Sequence, residues 1–215
     1  WSIGSHGGLI RPLVLSLLYD DPLKALGIAL EHQNLTHRSQ NVASSLSILL
    51  PLLNQLTKEE EPLASFINAS AQLHLPSIKG EELVELYRKY NGPGNIPKEM
   101  MFDLHTSFKK ATFDLKTFME DHRNSKVIRT LLSTACYTEH GVPLLFYLSV
   151  KNKLDLKSSL LANVNAGGDN VLRGMIMGLL LGAASDTVDE ELKRGLVDYE
   201  EINREIEEFV QLCDC

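Results

Sequence analysis

Leu161-Ala-Asn-Val-Asn-Ala-Gly-Gly-Asp-Asn-Val-Leu-Arg-Gly-Met-Ile-Met-Gly-Leu-Leu-Leu-Gly-Ala-Ala184 is the stretch around which the rest of the chain is read. A turn at Gly167-Gly168 carries a lone carboxylate, Asp169, and a helix follows with glycines at 174, 178 and 182. The four-residue spacing brings these glycines close to one helix face. Each costs about 1 kcal/mol relative to alanine in a helix interior. The stripe therefore predicts close packing of another backbone. Two glycines ahead of an acidic residue at a helix start let backbone approach a ligand or a metal. The apolar run from Met175 to Ala184 is flanked by Arg173 and Asp186. It is shorter than the roughly 20 residues a bilayer span needs. A buried central helix is the expectation.

The chain around it has 215 residues, 44% of them hydrophobic and 23% charged. That suits one soluble domain over residues 1–215. A formal net charge of −7 argues against a nucleic-acid backbone as partner. No stretch reads as a signal peptide or a transmembrane helix, so no membrane partner is expected. Three cysteines, Cys136, Cys213 and Cys215, make no disulfide framework. Their sparseness points to a reducing, cytoplasmic compartment. Cys213-Asp-Cys215 has the ligand chemistry for a soft metal, but no Cys or His lies nearby in sequence, and it is read as a frayed end. The chain starts at Trp1 without a Met and is read as processed or as a piece of something longer.

Trp1 to Pro12 reads as a glycine-rich loop, whose amides suit an anion or a diphosphate, followed by a short helix that ends near Pro22. Pro22 starts the next helix. Thr36 reads as the N-cap of a helix through Leu56, with His37 in its first turn. There Val42, Leu46, Leu49, Leu50, Leu53 and Leu56 form one buried stripe. An unpartnered histidine in that position is ordinarily a surface or capping residue. Glu59-Glu60-Glu61-Pro62 opens another helix, ending near Pro76. Further helices are predicted over 80–90, from Pro97, over 113–121 and over 125–137, with a breaker at 91–95. Residues 136–141 read as loop, 142–150 and 154–165 as helices. Beyond Asp186 an acidic helix runs to Arg194. Asp198 and Glu201 read as a capping box for a last helix with Ile202, Ile206, Phe209 and Val210 inward. No stretch alternates at period two. The fold class is therefore all-α: about ten short helices around the buried glycine-rich one.

Four segments resemble the ADP-ribosylglycohydrolase superfamily. They are Gly4-Ser5-His6-Gly7-Gly8-Leu9-Ile10-Arg11-Pro12, Thr36-His37, Val142-Pro143-Leu144-Leu145-Phe146-Tyr147 and Gly167-Gly168-Asp169. The resemblance covers nearly the whole chain, and the chain reads as the C-terminal part of the family domain. It implies a multi-helical orthogonal bundle holding ADP-ribose above two Mg²⁺ ions, which polarise the ribose end and position water. Matched position by position, Asp169 is a metal ligand. Ser5, His6, Gly7 and Gly8 embrace the diphosphate and ribose, His37 contacts the ligand, and Gly167 and Gly168 form the turn beneath it.

The departures matter. Val171 and Leu172 stand where the family motif has Asp and Thr, and His6 stands where Asn is usual. The form Gly-Gly-Asp-Asn-x-x-Arg-Gly, residues 167 to 174, is more similar to the branch of J crystallins and selenoprotein J. Three readings stay open: a protein that binds an ADP-ribosyl ligand and hydrolyses an ADP-ribose–acceptor bond with Mg²⁺ in its intact form, a structural, crystallin-like protein without that chemistry, and a helical interaction module in which the glycine loops are only turns. An N-terminal segment missing from the fold would leave apolar surface bare, so self-association is expected.

Overall fold

The computed structural model describes residues 4–58, 61–73, 113, 115–121, 127–128, 132–185 and 187–213. Among these residues the fold is all-α, with ten helices and two isolated bridges, Ser5 to Tyr137 and Ile128 to Leu132. The helices are α1 (Gly7–Ser16), α2 (Pro22–Thr36), α3 (Gln40–Leu56), α4 (Pro62–Ser70), α5 (Leu115–Asp121), α6 (Thr138–Lys151), α7 (Leu156–Ala166), α8 (Asn170–Ala183), α9 (Glu190–Arg194) and α10 (Tyr199–Cys213). The helices predicted over 80–90 and from Pro97, the breaker at 91–95 and Cys215 lie outside the described residues.

Local chemistry explains most boundaries. Pro22 opens α2, and the Asp21 carboxylate accepts the Leu23 and Lys24 amides at 2.9 and 3.4 Å. Pro62 opens α4 where its missing N–H is of no consequence. Asp155 caps α7 by accepting the Ser158 amide at 2.8 Å, so that helix starts two residues later than predicted.

Other boundaries moved. α1 begins at Gly7, within the expected loop. Thr36 ends α2 and does not cap α3. The His37 amide donates to Gln33 O at 2.7 Å, and the cap residue of α3 is Ser39. His37 therefore lies in the extended link between α2 and α3. Residues 132–137 are not helical, because the segment is drawn alongside the N-terminal strand-like residues: His6 N–H donates to Cys136 O at 3.0 Å and Thr138 N–H to Gly4 O at 2.8 Å. α6 then starts at Thr138, four residues before the predicted Val142.

Two helices organise the core. The stripe on α3 is buried as predicted, from Val42 to Leu56. α6 is buried on all sides from Gly141 to Ser149. α3 packs against α1, α2, α4, α6 and α8, and α6 against α3, α4, α5, α7 and α8. The glycine-rich helix α8 buries one stripe, Arg173, Ile176, Met177, Leu180 and Leu181. Among the described residues its glycines are not a packed face: a β-carbon at Gly174 meets Asn163, but one at Gly178 or Gly182 meets none of them within 4 Å. The last helix also differs from expectation. α10 has no buried residue, and Ile206 and Val210 are half exposed. Apolar periodicity describes a stripe, and a stripe is buried only where a partner arrives. Among the described residues no helix is long and apolar enough to cross a membrane.

Candidate functional site

The residues singled out in the sequence come together at the start of α1. His6 closes the link to α1 and is fully buried. Its Nδ1 lies 2.9 Å from Asp169 Oδ2, across 163 positions of chain. A carboxylate accepts, so Nδ1 carries the hydrogen and Nε2 is left as an acceptor. Nε2 has no hydrogen-bond partner among the described residues and faces Gly141, where any β-carbon would run into the ring. Burial holds the His6 pKa below its ordinary value, opposed by the hydrogen bond and charge of Asp169. The imidazole is thus a neutral donor fixed behind the carboxylate. Asp169 keeps 19% of its side-chain surface exposed, while His6 keeps none.

Ser5 and His37 make a second linkage. Ser5 Oγ lies 3.0 Å from His37 Nε2, and His37 Nδ1 lies 2.9 Å from Thr36 Oγ1. The ring bridges two hydroxyls. Gly8 is explained by packing, because a β-carbon there would press on His37 and Val42. At Gly7 the same atom would find ordinary contact distances, so packing does not demand glycine. α1 starts at this residue, with the Gly8 and Leu9 amides of its first turn donating to Ser5 O and His6 O at 3.1 and 2.9 Å.

The Gly167-Gly168 turn carries Asp169. Both glycines have positive φ, 72° and 67°, which L side chains rarely adopt. Gly168 also backs directly onto Thr134, whose carbonyl accepts the Asp169 amide at 2.9 Å. Behind the turn, Arg173 is fully buried. Its Nε donates to Asn163 Oδ1 at 2.6 Å, Nη2 to Gly167 O at 2.9 Å and Nη1 to Thr134 O at 3.5 Å. Asn163 in turn donates to Asn170 O at 2.8 Å. Burial lowers the Arg173 pKa and nearby Asp169 opposes that, but the ordinary value is so high that the group stays charged.

Of the candidates, Ser5, His6, Gly7, Gly8 and His37 thus converge with Gly167, Gly168 and Asp169. Thr134, Gly141, Asn163 and Arg173 were not anticipated. A signal for Arg173 was present: it occupies a core position of an otherwise apolar helix, four residues after Asp169. Asn170 donates weakly to Val164 O at 3.4 Å.

Mg²⁺ prefers about six oxygen ligands in octahedral geometry. Among the described residues no three His, Cys, Asp or Glu side chains gather in one place, and one oxygen of Asp169 is taken by His6. The described residues do not by themselves fit a dinuclear Mg²⁺ centre. A cleft of about 430 Å³, lined by Leu17, Tyr19, Leu26, Leu53 and Asn54 among others, contains none of the candidate residues. The candidate site is therefore defined by its convergent polar groups.

Comparison with known proteins gives two findings. The ADP-ribosylglycohydrolase family model matches residues 2–214. No curated protein matches the chain.

Proposed function

The chain belongs to the ADP-ribosylglycohydrolase family, and from that premise we propose that it binds an ADP-ribosyl ligand where Ser5, His6, Gly7, Gly8 and His37 meet the Gly167–Asp169 turn. The supporting observation is the His6–Asp169 contact, which joins the two candidate segments through a buried donor and a partly exposed carboxylate. In this reading the glycine-rich Ser5–Gly8 segment, with the Ser5 hydroxyl, takes the diphosphate. Asp169 accepts a ribose hydroxyl and His6 holds its carboxylate in place. Mg²⁺ belongs to the proposal only as a co-ligand to be tested, with Asp169 the residue it has to use. Hydrolysis of an ADP-ribose–acceptor bond is the activity this reading puts to test once binding is established.

One observation favours a second reading, a crystallin-like structural role in the branch of J crystallins and selenoprotein J. Val171, two residues beyond Asp169, is 69% exposed and offers a cation nothing. Calorimetric titration of ADP-ribose into the chain, in Mg²⁺ and in EDTA, tests both readings. Binding is expected. If it requires Mg²⁺, a cation joins the ligand at Asp169; if it persists in EDTA, the residues named above suffice. A folded sample that binds in neither buffer overturns the proposal in favour of the structural role.

A further inference from the structure

We infer that Arg173 is a positioning residue for Asp169, fixing that carboxylate through the backbone on both sides of it. A buried charge on a core stripe requires compensation, and its three hydrogen bonds among the described residues go to the surroundings of one turn. Nη2 reaches Gly167 O, two residues before Asp169. Nη1 reaches Thr134 O, the same carbonyl that accepts the Asp169 amide. Nε holds Asn163, which holds Asn170 O, one residue after Asp169. Gly167, Asp169 and Asn170 are thereby tied to one rigid fork.

The turn needs such a tie. Its two glycines have the widest conformational choice of any residue, and Gly168 is exposed. Arg173 acts through backbone, because the Asp169 carboxylate itself is bonded to His6. A lysine presents a point charge, not a planar fork, and cannot hold three acceptors in fixed directions.

The ligand-binding part of the test rests on the function proposed above; the spectroscopic part does not. Arg173→Lys and Arg173→Gln are compared with the parent chain, labelled with ¹⁵N-histidine. The hydrogen-bonded Nδ1–H resonance of His6 reports whether Asp169 is in place, and thermal melting reports the fold. Folded variants are expected to lose that resonance and to bind ADP-ribose about tenfold or more weakly, the scale of effect typical of a displaced supporting residue. Methylguanidinium added to Arg173→Ala is expected to restore both signals. Folded variants that keep the resonance overturn the inference. If the parent chain shows no ADP-ribose binding, the functional proposal falls, and the resonance alone decides the role of Arg173. Should the Arg173 variants not fold, Asn163→Leu serves in their place: it removes the Nε acceptor and the Asn170 tether, and a retained resonance there refutes the inference.

Discussion

A β-carbon added at Gly141 would run into the His6 ring and one added at Gly168 into Thr134, whereas one added at Gly178 or Gly182 would meet none of the described residues within 4 Å. The first pair belongs to the polar cluster around Asp169, the second to the outer face of α8. The spacing of the second pair suggested packing, and the first pair has no spacing at all. Regular glycines on a helix thus describe that helix alone. Glycines that admit a neighbour are set by the neighbour, and here the neighbours come from distant parts of the chain.

The contrast is sharpest in one substitution made twice. Gly141→Ala should destabilise the protein by about 3 kcal/mol, because a core site without room must expel a side chain, and urea denaturation measures this. A cost below that of an ordinary surface change would break the comparison. Asp169→Asn comes next. It leaves the buried His6 without a carboxylate and should cost about 1–2 kcal/mol, with loss of ADP-ribose binding by calorimetry. Gly178→Ala should do the opposite of Gly141→Ala and stabilise by about 0.5–1 kcal/mol, since alanine suits a helix better than glycine where space is open. A destabilised Gly178→Ala would mean that something packs on this face in solution.

The remaining predictions are smaller. His140 accepts the Ser133 amide through Nδ1 at 3.4 Å, and burial lowers its pKa from 6.5 against the opposing charge of Glu139. The folded protein keeps this ring neutral while the unfolded chain takes up a proton. Stability from this group is therefore complete above about pH 6.5 and falls as the pH drops below it. The difference in melting temperature between pH 7 and pH 5.5 should shrink in His140→Gln. Smallest of all, Ile206→Glu on α10 should shift stability by less than about 0.5 kcal/mol, as for most surface changes. A large loss in the same urea assay would show that this helix has a partner in solution.

What could be read from the sequence follows the range of the interactions involved. The α3 stripe, the starts at Pro22 and Pro62 and the all-α class depend on residues a few positions apart, and all were legible. Eight residues of the candidate site were named through a family pattern, while Thr134, Gly141, Asn163 and Arg173 were not. The assembly of the site was not legible. Residues 132–137 read as helix because their neighbours allow helix, and distant partners, the backbone around Gly4 and His6 and the Asp169 amide on Thr134 O, hold them out of it. Thr36 reads as a cap by residue type, but the adjacent His37 ring takes up its hydroxyl. Ile206 and Val210 read as core by period, but burial needs a second surface that no pattern within α10 specifies.

Ser5 meets Tyr137 and His6 meets Asp169, the latter across 163 residues. Synthesis at 5–20 residues per second separates the emergence of those last two by about ten to thirty seconds. Over that interval the N-terminal helices have local contacts to form, and local contacts form fast. The polar cluster has to wait for Arg173 and then close a long loop against its entropy. Residues 4–6 thus gain their bonds to Cys136, Thr138 and Asp169 only after the helices beside them can have formed. A fraction of molecules that holds ligand would consist of those that have made these bonds.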